Sequence, residues 1–271
     1  MKKKILLFSV VIFTVLVVFL YRKIVGPALP LPHTLHQVEY AVDNLQGADD
    51  YPFELDKKLL AEIVNKVEAG DYGNIHSLLI IHNDRLVLEK YFQGWTRHML
   101  HPCFSATKSV TSALIGIAIE QGYINGVDET ILSYFPEYND IHNLDKRKES
   151  ITLKDVLTMT AGFAWDEMNT PYLLAWRIPN PKNDAIKLGL SWDLIKSVLD
   201  LPISTPPGTK LVYNSACTLL LSGILKNKTG QSAERFAGKN LFNPLGITHW
   251  KWDTGPKGIT LTSGGAISSP C

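Results

Sequence analysis

The stretch that decides the fold is Phe104 to Gly122, "FSATKSVTSALIGIAIEQG". It puts Ser105 three residues before Lys108 and runs straight into an apolar pattern of helical period. Val110, Ala113, Leu114, Ile117 and Ala118 fall on one face, and Gln121-Gly122 supplies a stop. A serine here has two readings. It is an N-cap that accepts backbone N–H groups, or it is a nucleophile that needs a base within hydrogen-bond reach. Positions i and i+3 share a helix face, so Ser105 and Lys108 point into one cleft. The helix N-terminus adds positive potential, which favours an oxyanion formed beside the Ser105 N–H. The helix buries one side, and the aromatic loop "HPCF" stands at its mouth. That context favours the nucleophile over the cap.

The rest of the chain bounds what such a site serves. At 271 residues, 45% apolar and 20% charged, it can bury a sizeable core. A net charge of +1 with no basic stripe speaks against nucleic acid. Eight histidines show no H-E-x-x-H or paired spacing, and there is no G-x-G-x-x-G, so neither a metal nor a dinucleotide cofactor is implied. Cys103, Cys217 and Cys271 have no C-x-x-C spacing. They read as isolated thiols, with a Cys103–Cys217 bridge as the alternative.

Residues 1–24 form a separate unit. Ile5 to Tyr21 is an apolar run broken only by Ser9 and Thr14. As a helix it spans about 25 Å, near the lower limit for crossing a bilayer. Lys2, Lys3 and Lys4 precede it and keep the N-terminus inside. No small-residue cleavage site follows Tyr21, which favours an uncleaved transmembrane anchor over a signal peptide and secretion. Either way the bulk of the chain is exported. Residues 25–50, opening on the Pro-rich "VGPALPLPHTLHQ", read as linker.

The domain proper spans 51–271. Leu55, Leu59, Leu60, Ile63, Val64 and Val67 mark a helix stopped by Gly70. "SLLIIHNDRLVLEKYF" reads as a hairpin turning at Asn83-Asp84. "ITLKDVLTMTAGF" is a short helix closed by Gly162, and Trp165 to Leu190 is irregular. "SWDLIKSVLDL" is a helix capped by Ser191, and "SACTLLLSGILKNKTG" a strongly apolar one ending at Gly230. "SAERFAGKNLFNPLGI" is one more helix. No later run reads as a convincing strand. Asp166 and Glu167 read as solvated loop carboxylates.

Four segments in order carry a family resemblance: the hairpin, "SATKSVTSALIGIAIEQGYI", "ITLKDVLTMTAGFAWDE" and "PPGTKLVYNSACTLLLSGILKNKTGQS". Together they resemble the serine β-lactamase and penicillin-binding protein family, most closely its class C and esterase branch, which includes 6-aminohexanoate-dimer hydrolase. The resemblance runs from about His76 to Gly265. It implies an α/β (α+β) fold, an antiparallel sheet flanked by helices with a helical subdomain. It also implies a serine hydrolase that acts through an acyl-enzyme on a small-molecule or peptide ester or amide. Ser105 would be acylated, Lys108 would be its base, and Tyr213 would pass the proton to the leaving group. Alternatives within the resemblance are a D-alanyl-D-alanine carboxypeptidase and a catalytically silent relative that binds cell-wall peptide or a protein partner.

Two departures qualify it. The Y-x-N motif reads Tyr213-Asn214-Ser215, so Ser215 falls where the family's amide sits and would contact substrate with a shorter reach. Lys228-Thr229-Gly230 spells the family's K-T-G, but it closes an apolar helix 15 residues after Tyr213, where Gly230 is a C-cap. The true third motif would lie on a later strand. The chain ends at "TLTSGGAISSPC", inside a matched segment. The expectation is a C-terminally truncated form without its final strands, poorly soluble once freed of its anchor and turning over esters no faster than background.

Overall fold

The computed structural model describes residues 56–82, 85–168 and 183–268. The run Ile5 to Tyr21, the 25–50 linker, the start of the first helix, the Asn83-Asp84 turn and Cys271 lie outside them. Among the described residues no helix is long and apolar enough to cross a membrane.

Helix α1 (Lys57–Ala69) opens on Asp56, whose carboxylate accepts the Leu59 N–H at 2.8 Å, and closes on Gly70 at φ 82°. Strands β1 (Ser77–His82) and β2 (Arg85–Tyr91) form the expected antiparallel hairpin, but the register shifts between Ile80 and Ile81. A one-residue slip moves side chains to the opposite face. Val87 and Leu88 are buried while Ile81 is 68% exposed. Leu79, Ile81 and Leu88 therefore do not make one continuous buried apolar face.

Later strands do exist, against expectation. β3 (His101–Pro102), β4 (Trp250–Trp252) and β5 (Ala266–Ser268) make an antiparallel sheet in the order β3-β5-β4. At two or three residues each they are too short to show the alternation that marks a strand in sequence. The hairpin pairs only within itself, as a separate two-stranded sheet.

The helices are α2 (Thr107–Glu120), α3 (Lys146–Glu149), α4 (Leu153–Leu157), α5 (Asp184–Gly189), α6 (Leu194–Leu199), α7 (Ser215–Thr229) and α8 (Ala233–Ala237). The last runs into a π-type turn, Gly238–Phe242. Three local expectations change. α4 is five residues long, opened by a capping box of Thr152 and Asp155. Gly162 lies beyond it at φ 80°, and a Cβ there would meet the Thr205 carbonyl oxygen at 2.2 Å. Gly162 thus permits a close backbone approach rather than ending a helix. Part of the Trp165–Leu190 stretch is α5, capped by Asn183. α6 is capped by Asp193, while the Ser191 hydroxyl accepts the Asp193 N–H at 3.1 Å.

α7 is the axis of the core. Every residue from Ala216 to Leu225 is buried, and α2, α4, α6 and α8 pack around it. A helix apolar on all sides is an interior helix. Each fully buried Leu or Ile contributes about 1.5–3 kcal/mol. Gly223 lets α6 and Phe135 approach, since a Cβ there would stand 2.8 Å from Ile195 Cδ1 and from Phe135 Cε1. α2 packs on α7 and buries Thr107, Thr111, Leu114, Ile115 and Ala118. That face is rotated from the expected one, and Ala113 is exposed.

Candidate active site

Ser105 sits in a 3-10 turn, Phe104–Ala106, that precedes α2. The residue before it, Phe104, has φ 42°, a left-handed conformation uncommon for a bulky side chain. Such strain persists only where the surroundings hold it. The capping reading of Ser105 falls, because the N-cap of α2 is Ala106 and no side chain caps there. Instead the exposed Ser105 Oγ accepts two hydrogen bonds, from Lys108 Nζ at 3.1 Å and from the Tyr213 hydroxyl at 2.7 Å. The three residues that the sequence singled out do converge.

Lys108 is oriented from a third direction. Its Nζ donates to the Ser263 carbonyl at 2.6 Å and stands 5.1 Å from the centre of the Tyr213 ring. The segment carrying Ser263 is wedged between the two main helices. Thr111 Oγ1 donates to the Thr262 carbonyl at 3.2 Å, and Thr262 Oγ1 donates to the Thr218 carbonyl at 2.5 Å. The Cys103 N–H donates to the Ala266 carbonyl at 3.0 Å, which ties the same segment to the approach of Ser105. The short strands β3 and β5 therefore hold the Ser105 turn and the Lys108 acceptor side by side. The Ser263 carbonyl escaped sequence reasoning, because a backbone oxygen is offered by every residue type.

Tyr213 enters just before α7. The Val212 N–H donates to the Met159 carbonyl at 2.9 Å. Asn214, 2% exposed, is the N-cap, accepting the Ala216 and Cys217 N–H groups at 2.8 and 3.2 Å. Its amide faces away from the cleft, as the alternation of an extended segment predicts. The Ser215 N–H donates to Glu167 Oε2 at 2.9 Å and its hydroxyl to Glu167 Oε1 at 2.9 Å. That hydroxyl spends its one proton on Glu167. Glu167 also accepts the Trp165 indole N–H at 2.7 Å. It is a half-buried clamp rather than a solvated loop carboxylate, while Asp166 is exposed. The signal for Glu167 lay in the adjacent Trp165, but its main partner is 48 residues away.

The remaining sequence candidates have structural places. Gly230 of Lys228-Thr229-Gly230 is the left-handed C-cap of α7 at φ 69°. The alternative Cys103–Cys217 bridge is not formed, and Cys217 is a free thiol. Burial, with a smaller push from the Glu167 charge, raises the Cys217 thiol to about 12, so it is inert at neutral pH. Among the described residues no group of His, Cys, Asp and Glu is placed to hold a metal.

A family model for Beta-lactamase matches residues 70–266. The chain belongs to the Beta-lactamase family. Its fold is accordingly the family's α/β arrangement of helices around a small sheet. A Salmonella agona protein described as "Putative D-alanyl-D-alanine carboxypeptidase" is 26% identical over 248 residues, covering 82% of this chain and 54% of that protein. The chain thus spans about half the length of the curated relatives it matches. Among solved structures, a Bacillus anthracis protein titled "Putative 6-aminohexanoate-dimer hydrolase" aligns with a TM-score of 0.59 at 22% identity, covering 75% of this chain and 53% of that one. A beta-lactamase/D-alanine carboxypeptidase from Yersinia pestis aligns at 0.57 and 18%, covering 80% and 66%. The two solved structures share the fold of this chain.

Proposed function

We propose that the chain hydrolyses an ester or amide through an acyl-enzyme on Ser105. The observation that carries this reading is the pair of hydrogen bonds that Ser105 Oγ accepts from Lys108 and Tyr213. Ser105 Oγ bonds to the substrate carbonyl carbon, and its proton passes to the nitrogen lone pair that Lys108 offers in its amine form. As the tetrahedral adduct collapses, Tyr213 gives its proton to the leaving alcohol or amine and regains one from Lys108. Water then repeats the sequence on the acyl-serine and frees the acid. The first turn of a helix has N–H groups without intrahelical acceptors, which suits the developing oxyanion. Positioned proton transfer of this kind contributes about 10²–10⁴ in rate.

The test is covalent labelling of the full chain with a fluorophosphonate and with a fluorescent penicillin. Labelling should vanish in Ser105→Ala. Labelling that survives undiminished in that variant would sink the assignment of the nucleophile. A second reading, a carboxypeptidase acting on peptides ending in D-alanyl-D-alanine, is favoured by the description of the Salmonella relative. Release of D-alanine from such a peptide, absent in Ser105→Ala, would select it over an esterase.

The place of action is part of the same proposal. The apolar run Ile5 to Tyr21 behind three lysines would anchor the chain with its domain outside the cytoplasm. Protease added to intact spheroplasts should digest the domain, and protection would overturn that orientation.

A further inference from the structure

Two stretches of chain run alongside each other beside the cleft, 159–167 and 203–215. The Met159, Thr160 and Gly162 carbonyls accept from Val212, Gly208 and Ser204, and the Ala164 N–H donates to the Pro202 carbonyl. Tyr213 stands at one end of this seam. On one side of it is the Val212–Met159 bond. On the other is Glu167, which takes both the N–H and the hydroxyl of Ser215. Asn214 already satisfies the second and third N–H groups of α7. Glu167 satisfies the first, two residues from the phenol, with a charge suited to the N-terminus of a 15-residue helix. Trp165, through its indole N–H, holds the carboxylate from behind.

We propose that Glu167 is a positioning residue for Tyr213. By gripping Ser215 it fixes the entry of α7, so that the Tyr213 hydroxyl stays 2.7 Å from Ser105 Oγ. This rests on the reading that Ser105 is acylated with the help of Tyr213. A misplacement of about 1 Å costs as much as 10²-fold in such chemistry.

The experiment measures the second-order rate of fluorophosphonate labelling on the full chain. Glu167→Ala should slow it by about 10- to 100-fold. Glu167→Gln should stay within about threefold, since its amide oxygen accepts from Trp165 and the Ser215 N–H while its NH₂ donates to Ser215 Oγ. In a Tyr213→Phe background, Glu167→Ala should add less than about twofold, because both changes remove one contribution. Full multiplication of the two effects would overturn the proposal, as would an unchanged rate in Glu167→Ala. Ser215→Ala, which takes away one of three donors and is the milder variant should Glu167→Ala not fold, should slow labelling about threefold; an equal rate would also count against it. A readout independent of turnover separates this claim from the one above. With 3-fluorotyrosine at position 213, the ¹⁹F resonance should shift or broaden in Glu167→Ala and not in Glu167→Gln. An unperturbed resonance would overturn the positioning role even if the unmodified chain never labels, whereas absent labelling with a perturbed resonance would overturn only the acyl-enzyme.

Discussion

Two lysines do different things with the same three N–H donors. Lys148 is wholly buried at the start of the helical block, where its Nζ donates to the His142 and Leu199 carbonyls at 2.7 Å each. Lys108 is half-buried, and its Nζ donates to one carbonyl and to the Ser105 hydroxyl. Lys148 joins a loop to the C-terminal end of α6, where a cation also meets the negative end of the helix dipole. Burial holds its ammonium below the ordinary lysine range, and Asp200 and Asp145 partly offset this. Neither carbonyl can exchange a proton with it, so Lys148 is a staple. Lys108 keeps one partner that can. The lesson is that the acceptor's chemistry and its access to solvent, rather than the lysine, separate a structural site from a reactive one.

The comparison can be broken at its reactive end first. Lys108→Met should slow Ser105 labelling by about 10²–10⁴ while the urea midpoint stays close to that of the unchanged chain. A variant that unfolds instead would show Lys108 to be a staple as well. Next in size is Lys148→Ala, which leaves the buried Leu199 carbonyl unpaired and the part-buried His142 carbonyl without its donor, and should destabilise by about 3 kcal/mol in urea unfolding. Labelling of its folded fraction should be normal. A loss below about 0.5 kcal/mol would mean that the two carbonyls find other donors.

The smallest effect is a pH dependence. Asp193 caps α6, accepts from the Tyr138 hydroxyl and pairs with Lys257 at 2.5 Å. Burial pushes its carboxyl up, but the Lys257 bond, the Lys196 N–H and Tyr138 together outweigh that and hold it below the usual aspartate value. A carboxyl depressed in the folded state stabilises at every pH above its unfolded value, about 3.9. That contribution is lost as pH falls from there through the folded value. Melting temperature should drop more steeply below pH 4 in the unchanged chain than in Asp193→Asn, which keeps a cap but not the charge. Equal slopes would remove Asp193 from the account.

How much of this was legible follows from the range of each interaction. Ser105 and Lys108 are three residues apart on one helix, and a local period showed them. Gly70 and Gly230 end helices by a rule that needs only their neighbours. The apolar run after Tyr213 announced the central helix. The hairpin was legible, but its slipped register was not, since it depends on a pairing that local alternation does not encode. β3, β4 and β5 escaped because Trp250–Trp252 and Ala266–Ser268 are shorter than any window that detects alternation. Glu167 was misread for a related reason, and the hydrogen bonds it takes from Ser215 were hidden with it. A carboxylate in a Trp-flanked loop reads as solvated unless its distant donors are known.

The bond from Lys108 to Ser263 spans 155 residues of sequence, and that from Tyr213 to Ser105 spans 108. Such distant pairs close late, because loop entropy has to be overcome before they repay it. A ribosome adding about 5–20 residues per second takes roughly 8–30 seconds to go from the serine to the carbonyl that orients its lysine. Until that interval closes, α2 lacks the Ser263 carbonyl that orients Lys108, although Tyr213 has been made well before. The cleft is thus dated by its own assembly: Ser105, Lys108 and Tyr213 take up their full set of bonds only when the last segment that holds them has been made.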